Sequence, residues 1–275
     1  MYDIPLVSAI VTTQNRKELL KRALNSVKKQ TYPNIELIVI DDASDESVKE
    51  IIDPYTAHMK VILHRNKVSQ GACISRNKGI ELASGKFVAG LDDDDEWTDQ
   101  RIEKLVGSYS EEFAFVTSDV LHVYENAKLV WKKKAVITFD ALLFSNQVGN
   151  QGLIERDRLL AVGGFDESLK AAQDYDLWVR LCKTYGNIKN VQETLQKVYL
   201  SHGGAQITNS KNQLKGYLQF YKKHKQLMSR KQRKYQLFNI RKVTGKVQGI
   251  TDILGWVPKE FLLKELKVFL LRRLL

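Results

Sequence analysis

Short apolar runs alternate with helical periodicity along the first third of the chain. Residues 4–13, 35–40 and 61–63 are apolar and rich in β-branched side chains, which is typical of buried strands. Residues 16–30 carry apolar side chains at helical spacing, and a further helix is predicted at 47–55. This strand–helix rhythm predicts an α/β fold with a doubly wound, mostly parallel sheet that binds ligands at the carboxyl ends of its strands.

The apolar run 87–91 is the central feature of the pattern, because four consecutive aspartates, 92–95, follow it at once. We expect this run to form another buried strand, which places the carboxylates at the same sheet edge as Thr12 and Asp42. Adjacent carboxylates repel one another unless a cation lies among them. Mg²⁺ and Mn²⁺ bind one or two carboxylates together with substrate phosphates. The alternative is a solvated acidic loop.

The remaining pattern predicts shorter elements. A helix is expected to begin at Gly71, and its start could approach a diphosphate, although one glycine is a weak signal. Asp174 and Asp176 lie at the start of a helix predicted at 174–185. Residues two apart on a helix do not share a face, so only one of these two carboxylates should point into a cleft. Further predictions are a helix at 100–105, antiparallel strands at 113–123 and 129–136 around a turn at 125–128, a polar loop at 146–152 and a short strand at 153–154.

Composition narrows the class of protein. A chain of 275 residues with 43% hydrophobic composition can bury a core as one or two domains. Its two cysteines, Cys73 and Cys182, imply no disulfide framework, so a cytoplasmic location is expected. The first residues lack the features of a signal peptide, and no stretch reaches the roughly 20 apolar residues that span a bilayer.

The net charge of +11 is concentrated at one end of the chain. Residues 205–275 contain 17 basic and 3 acidic side chains, whereas the preceding 204 residues contain 26 and 29. We therefore predict two regions, 1–204 and a basic helical region at 205–275. Nucleic acid or an anionic membrane surface could account for such a basic tail.

Several ordered segments carry a resemblance to a known family. The segments are VSAIVTTQNR at 7–16, QTY at 30–32, ELIVIDDAS at 36–44, RNKG at 76–79, LDDDD at 91–95, GGFDE at 163–167 and QDYDLWVR at 173–180. Together they resemble family 2 glycosyltransferases over roughly 5–202. The resemblance implies a GT-A fold, a nucleotide-sugar donor, a divalent metal (Mn²⁺ or Mg²⁺) and an inverting transfer.

The resemblance also assigns expected roles to individual residues. Asp174 takes the position of the general base, although a helix cap is the alternative, and Asp94 that of the direct metal ligand. His202 resembles a histidine that completes the metal site in some members, although a lone histidine is more often structural. The expected donor-binding residues are Thr12, Asp42, Arg76, Asp92 and Asp93, and the weaker acceptor candidates are Trp97, Asn150, Gln151 and Gln173, the last replacing the usual glutamate.

The basic tail has a periodic pattern of its own. Residues 211–234 are predicted to be helical, and 261–275 repeat apolar side chains at helical spacing with cations between them. This last segment is too short and too charged to span a membrane. It is expected to lie in a membrane interface, to dock on the catalytic domain or to contact a second subunit in a homo-oligomer. The predicted apolar stripe consists of Leu262, Leu263, Leu266, Phe269 and Leu270.

The main hypothesis is a metal-dependent enzyme that moves a sugar from a nucleoside diphosphate, UDP above all, to a saccharide hydroxyl. By resemblance, the acceptor is lipid-linked and the product is a bacterial surface polysaccharide. A non-catalytic nucleotide-sugar-binding scaffold is one alternative. A sugar nucleotidyltransferase is another, but it would be expected to carry a glycine- and arginine-rich loop after the first strand, which TTQNR at 12–16 lacks. No nucleic-acid-binding module is recognisable, so nucleic acid is not an expected partner.

Overall fold

The computed structural model describes residues 4–200, 210–247 and 249–274. Two compact units are formed. Within the described residues, the sheet unit consists of 4–139, 147–167 and 174–200, and the helical unit of 140–146, 168–173, 210–247 and 249–274. Two short internal segments therefore belong with the basic C-terminal region.

The sheet unit is built on one mixed sheet of ten strands in the described chain. Its main path runs β3-β2-β1-β4-β9-β6-β10-β5, with β7 paired to β6 and β8 to β10. The first four strands along the path are parallel, and β9 joins β4 and β6 in antiparallel pairing. The strands are β1 (Val7–Thr13), β2 (Ile35–Asp41), β3 (Lys60–Arg65), β4 (Phe87–Asp92), β5 (Glu96–Trp97), β6 (Val116–Val123), β7 (Lys128–Trp131), β8 (Val136–Ile137), β9 (Leu153–Glu155) and β10 (Ile188–Tyr199).

The described helices connect the parallel strands and make up most of the helical unit. Two single-turn 3₁₀ segments accompany these helices. Asp53–Tyr55 directly follows a short α-helix, and Lys225–Leu227 lies between two longer ones. The α-helices are α1 (Lys17–Lys28), α2 (Lys49–Ile52), α3 (Ala72–Leu82), α4 (Arg101–Gly107), α5 (Phe139–Phe144), α6 (Arg156–Ala161), α7 (Gln173–Tyr185), α8 (Ser210–His224), α9 (Arg230–Val243), α10 (Ile250–Trp256) and α11 (Lys259–Leu274).

The core of the sheet unit follows from the hydrophobic pattern. All seven residues of β2 are buried, as expected for a strand that is covered on both faces. Helix α1 packs Leu20, Leu24 and Val27 into the same core at the spacing of one helical face. Burying each such side chain stabilises the fold by about 1.5–3 kcal/mol. The parallel strands and their helices were therefore predicted correctly to within a few residues.

The predicted antiparallel hairpin is shorter than expected. Strand β6 begins only at Val116, and the hairpin turn closes with Tyr124 N donating to Ala127 O at 2.8 Å. The expected strand at 129–136 is wrong, because it is two separate strands, β7 and β8. Between them, Lys133 turns inward, and its Nζ donates to the carbonyls of Ser118 (2.5 Å) and Val148 (2.6 Å).

The helical unit has its own apolar cluster. Phe144, Tyr235, Phe238, Ile253 and Val257 are buried together. Helix α9 begins with a capping box, in which the hydroxyl of Ser229 and the side chain of Gln232 satisfy each other's backbone N–H. The helical character predicted for 211–234 is confirmed, although a 3₁₀ turn separates α8 from α9.

Helix α11 divides its predicted apolar stripe. Leu262, Leu266 and Phe269 pack against the buried cluster of the helical unit, whereas Leu263 is 84% exposed and Leu270 is 52% exposed. The stripe is therefore only partly available to an external partner. None of the helices within the described residues is long and apolar enough to cross a membrane.

Candidate active site

The aspartate run lies where β4 ends, and its side chains separate into two groups. Asp92 pairs in parallel register with Thr12, which places the run at the carboxyl end of the central strands. One carboxylate oxygen from each of Asp92, Asp94 and Asp95 lies within 4.8 Å of the other two. Asp93 instead accepts hydrogen bonds from Thr13 Oγ1 at 2.7 Å and from Arg16 NH1 at 3.1 Å. Thus three of the four aspartates form a cluster, and Asp93 is directed towards the end of β1 and the segment after it.

Side-chain amides organise the buried end of this cluster. Asp95 is 2% exposed, and its Oδ2 accepts from Asn150 Nδ2 at 3.0 Å and from Gln151 Nε2 at 3.1 Å. Its Oδ1 accepts from the backbone N–H of Tyr199 at 3.3 Å. Asn150 Nδ2 also donates to Asp92 Oδ2 at 2.8 Å. Asn150 therefore links two carboxylates and fixes their separation.

Burial and mutual repulsion dominate the electrostatics of the cluster. Burial raises the pKa of Asp95 well above its usual range, and the nearby carboxylates of Asp92 and Asp94 raise it further. Burial also raises the pKa of Asp93 to about 6, against the hydrogen bond from Thr13 and the charge of Arg16. Burial opposes ionisation of Asp92 too, but Arg76 and Asn150 hold the pKa of Asp92 below its usual value.

The cluster fits a hard divalent cation. Its ligand atoms are all carboxylate oxygens, which Mg²⁺ and Mn²⁺ prefer, and a dication would relieve the repulsion that raises the pKa of Asp95. Asp92 and Asp94 are partly exposed and can be reached by a phosphate, whereas Asp95 is buried behind them. The residues that would hold the ion are therefore Asp92 and Asp94, with Asp95 as the buried third carboxylate.

Arg76 connects this cluster to a second carboxylate. Its guanidinium lies 2.6 Å from Asp92 Oδ1 and 3.6 Å from Asp174 Oδ1. It also lies over the ring of Phe165, 5.4 Å from the ring centroid. Arg76 lies on α3, which begins after Gly71, whose positive φ of 90° suits glycine. One guanidinium thus bridges the aspartate cluster and Asp174.

Asp174 has the environment of a proton acceptor. It lies in the first turn of α7, its side chain is 24% exposed, and no donor among the described residues makes a hydrogen bond to its Oδ1. Burial raises its pKa to about 6, against the charge of Arg76 and with the repulsion of Asp92. Asp176 is fully buried and paired with Arg180 at 2.8 Å. Only one of the two carboxylates faces the cleft, as the helical spacing predicted.

Asp42 holds a loop in place. Its carboxylate accepts from Asn66 Nδ2 (2.7 Å), Ser69 Oγ (3.0 Å), Gln70 N (2.9 Å) and Gly71 N (2.8 Å). These four donors use the roughly four lone-pair sites of a carboxylate. With these four hydrogen bonds formed, Asp42 holds the segment that leads into α3. A nucleobase could contact the Asp42 carboxylate only by replacing one of the four donors.

The acceptor candidates have different environments. The indole of Trp97 is 2% exposed and donates to Gln151 Oε1 at 2.8 Å. Gln151 is 3% exposed. Both side chains are buried and lie beside the aspartates, and the expectation that they contact an acceptor stays a prediction. Of the other two acceptor candidates, Asn150 is partly exposed, and the Gln173 side chain donates to Leu169 O at 3.0 Å. His202, the histidine expected to complete the metal site, lies outside the described residues.

Several supporting residues were not predicted. Arg16 NH1 lies 3.1 Å from both Asp93 and Asp94, and its position after the first strand could have suggested a role. Gln196 Nε2 lies 3.5 Å from Asp95, and Arg22 NH2 donates to Asp94 O at 2.5 Å. Nothing in the sequence pattern points to these two, since β10 and α1 reach the cluster only through the fold.

Comparison with known sequences gives consistent results. The family model described as "Glycosyl transferase family 2" matches residues 8–165. The chain is 35% identical over 255 residues to the putative colanic acid biosynthesis glycosyl transferase WcaA of Escherichia coli K12, covering 90% of this chain and 91% of WcaA. It is 29% identical over 190 residues to the UDP-Glc:alpha-D-GlcNAc-diphosphoundecaprenol beta-1,3-glucosyltransferase WfgD of Escherichia coli, covering 66% and 71%.

Solved structures show the same fold. S. aureus TarS 1-349, in complex with UDP-GlcNAc, superposes with a TM-score of 0.65 at 15% identity, covering 94% of this chain and 85% of TarS 1-349. The mannosyltransferase PcManGT from Pyrobaculum calidifontis, in complex with GDP-Man and Mn²⁺, gives a TM-score of 0.60 at 16% identity, covering 94% and 68%. These similarities confirm the GT-A fold expected from the sequence.

Proposed function

Because the chain belongs to glycosyltransferase family 2, we propose that it transfers a sugar from a UDP-linked donor to a saccharide hydroxyl, with inversion at the anomeric carbon. Two kinds of group are needed for this chemistry. One must neutralise the departing diphosphate, and the other must accept the proton of the attacking hydroxyl. We assign the first role to the aspartate cluster and the second to Asp174.

The leaving-group side is formed by the aspartate cluster. Asp92 and Asp94 would hold a divalent cation, with Asp95 as the buried third carboxylate. A bound Mg²⁺ or Mn²⁺ supplies Lewis acidity that neutralises the charge developing on the diphosphate. Asn150 fixes the spacing between Asp92 and Asp95, and Arg16 anchors the partly exposed Asp94. These contacts keep the ligand atoms close before the donor binds.

The acceptor side is formed by Asp174. A general base must be ionised at working pH and must have an oxygen free to accept a proton. The side chain of Asp174 is 24% exposed, and its pKa near 6 leaves it mostly ionised at neutral pH.

The observation that carries the proposal is the position of Arg76. Its guanidinium contacts Asp92 in the cluster and Asp174 at the start of α7. The two proposed catalytic groups therefore both contact one guanidinium. Arg76 also adds positive charge beside the leaving diphosphate.

Thr12 and the segment held by Asp42 are proposed to bind the nucleotide. Thr12 is partly exposed at the end of β1, and Asp42 fixes the chain from Asn66 to Gly71 that leads into α3. WfgD is named for a UDP-glucose donor and a diphosphoundecaprenol-linked acceptor. By analogy, we assign this chain a UDP-sugar and a lipid-linked saccharide, within the synthesis of a surface polysaccharide.

The test is turnover of labelled nucleotide sugars by the full chain. UDP-, GDP- and dTDP-linked sugars are incubated singly with Mn²⁺ or with EDTA, and release of the free sugar or its transfer is followed. We expect metal-dependent turnover with UDP-linked donors. Tight binding of a nucleotide sugar with no turnover on any donor or acceptor would indicate a scaffold, and full activity in EDTA would contradict the metal role.

A further inference from the structure

A small cavity lies beside the proposed catalytic residues in the sheet unit. Its volume is about 40 Å³, several times the 10–15 Å³ that a single water requires. Most of its wall is apolar, formed by side chains of the central strands and of α3, α6 and α7 such as Ile10, Ile80 and Leu177. Arg76, Asp92 and Asn150 also line it, so one end of the cavity borders the site.

Gly90 leaves this space open. A Cβ added at Gly90 would have no heavy atom within 4 Å, and the φ of Gly90 is not in the left-handed region. In contrast, a Cβ at Gly79 would lie 2.4 Å from Ile10, and one at Gly152 would lie 2.8 Å from Phe115. Packing therefore requires glycine at 79 and 152 but not at 90. A glycine inside a strand often marks a place where a ligand approaches closely.

The cavity lies next to the position that the proposed function gives to the transferred sugar. Gly90 and Asp92 are two residues apart on β4 and so share one face of the sheet. The proposed function places the diphosphate at Asp92 and Asp94, and Arg76 reaches from Asp92 to Asp174. The sugar attached to that diphosphate would therefore stand at the polar end of the cavity, with its substituents directed along the apolar wall.

We propose that this cavity receives a methyl-bearing substituent of the donor sugar. The inference rests on the proposed function. The space is too small for a second ring and holds a methyl group, whereas a hydroxyl group buried there would lose hydrogen bonds to water. Two kinds of donor carry such a group, a sugar with an acetamido group and a 6-deoxy sugar with a methyl group at C6.

Three UDP-sugars distinguish these sources. UDP-glucose is compared with UDP-N-acetylglucosamine and with UDP-6-deoxyglucose, and kcat/KM is measured with the full chain in Mn²⁺. We expect one of the two methyl-bearing donors to exceed UDP-glucose by 10-fold or more, as one methyl group in an apolar pocket can provide. The donor that is favoured identifies the substituent.

The variant Gly90→Ala tests whether the cavity causes this preference. The methyl group of Ala would occupy the open space. The kcat/KM of the favoured donor relative to that of UDP-glucose should therefore fall about 10-fold. Gly107→Ala is the matched control, because Gly107 also has no heavy atom within 4 Å of an added Cβ and lies at the end of α4 outside the site. Ile80→Val enlarges the same cavity by one carbon and should also lower the ratio, which provides a second test if Gly90→Ala folds poorly.

The outcomes separate this inference from the proposed function. Turnover of all three donors at similar kcat/KM, or a preference that Gly90→Ala and Ile80→Val leave unchanged, overturns the inference while the glycosyltransferase function stands. Absence of turnover with every UDP-sugar contradicts the proposed function, and the inference fails with it. A donor preference that Gly90→Ala reduces and Gly107→Ala does not supports the inference.

Discussion

Asp174 and Asp176 lie two residues apart in α7, and their surroundings differ completely. Asp176 is fully buried and paired with Arg180, whereas Asp174 is partly exposed and leaves Oδ1 without a hydrogen-bond donor among the described residues. The first arrangement stabilises structure, and the second leaves part of the Asp174 carboxyl group exposed. The helical spacing could predict that the two side chains diverge but not which one faces the cleft.

We expect the rate of sugar transfer to depend on the ionisation of Asp174. Its pKa is raised to about 6 by burial, and a general base acts only when it is deprotonated. The rate should therefore be constant well above pH 6 and fall as the pH decreases through about 6. Asp174→Asn should lower kcat by about 100-fold or more, since general bases typically contribute 10²–10⁴-fold.

The control for this prediction is donor affinity, measured by calorimetry with UDP and Mn²⁺. The Asn side chain preserves size, so binding should change little. If Asp174→Asn instead lowers the melting temperature while the rate per folded molecule is retained, Asp174 is a helix cap and the base lies elsewhere.

Single residues were predictable where a motif and a strand end coincide. The aspartate run was recognised in this way, whereas the role expected of Asp174 came from the family resemblance. The burial of Trp97 and Gln151 was not predictable, since the pattern does not show that both side chains turn into the core. Gln196 was missed because it is distant in sequence and approaches Asp95 only when β10 joins the sheet.

At the scale of elements, the segment between β7 and β8 shows where the hydrophobic pattern fails. Lys133 is 8% exposed, and its Nζ donates to Ser118 O and Val148 O. Burial lowers the pKa of Lys133 to about 7, with the charge of Arg101 acting in the same direction. Through these contacts Lys133 ties β6 to the loop that carries Asn150.

We expect Lys133→Met to destabilise the sheet unit by about 2–4 kcal/mol, because two buried carbonyls would lose their donor. Equilibrium urea unfolding of the full chain measures this change. Lys132→Met is the matched control, since Lys132 is exposed, and it should change stability by less than about 0.5 kcal/mol. Equal free energies of unfolding for the two variants would show that the contacts of Lys133 do not contribute to stability.

Helix α11 carries a second prediction at this scale. Leu263 and Leu270 are exposed although the same helix packs Leu266 inward, and the C-terminal region is strongly basic. Such a surface suits an anionic lipid layer, where each cation contributes about 1 kcal/mol at low salt. We expect the full chain to float with anionic vesicles and to be released as the salt concentration rises.

Substitution of the exposed leucines separates membrane contact from internal packing. Leu263→Gln combined with Leu270→Gln should reduce flotation without lowering the melting temperature. Leu266→Gln should lower the melting temperature, because its side chain packs on the buried cluster. Unchanged flotation of the double variant would rule out these leucines as the membrane contact.

At the scale of the whole molecule, the order of the first four strands and of the helices between them was predictable from the sequence, because each of these strands contains a continuous apolar run. The sequence could not show which segments form the helical unit, because residues 140–146 and 168–173 belong to this unit although they lie within the first 200 residues. Local periodicity contains no information on such long-range association. The charge difference between the two regions was visible from the sequence and favours a surface that attracts anions.

The central claim is that a metal held by Asp92 and Asp94 drives sugar transfer, and its most direct test is the transfer rate as a function of Mn²⁺ concentration. We predict that the wild type saturates with Mn²⁺ and loses activity in EDTA. Asp94→Ala should lose at least 100-fold at every Mn²⁺ concentration. The exposed carboxylate of Asp99 lies outside the cluster, so Asp99→Ala should match the wild type. Full activity of Asp94→Ala, or wild-type activity that EDTA does not reduce, would contradict the account.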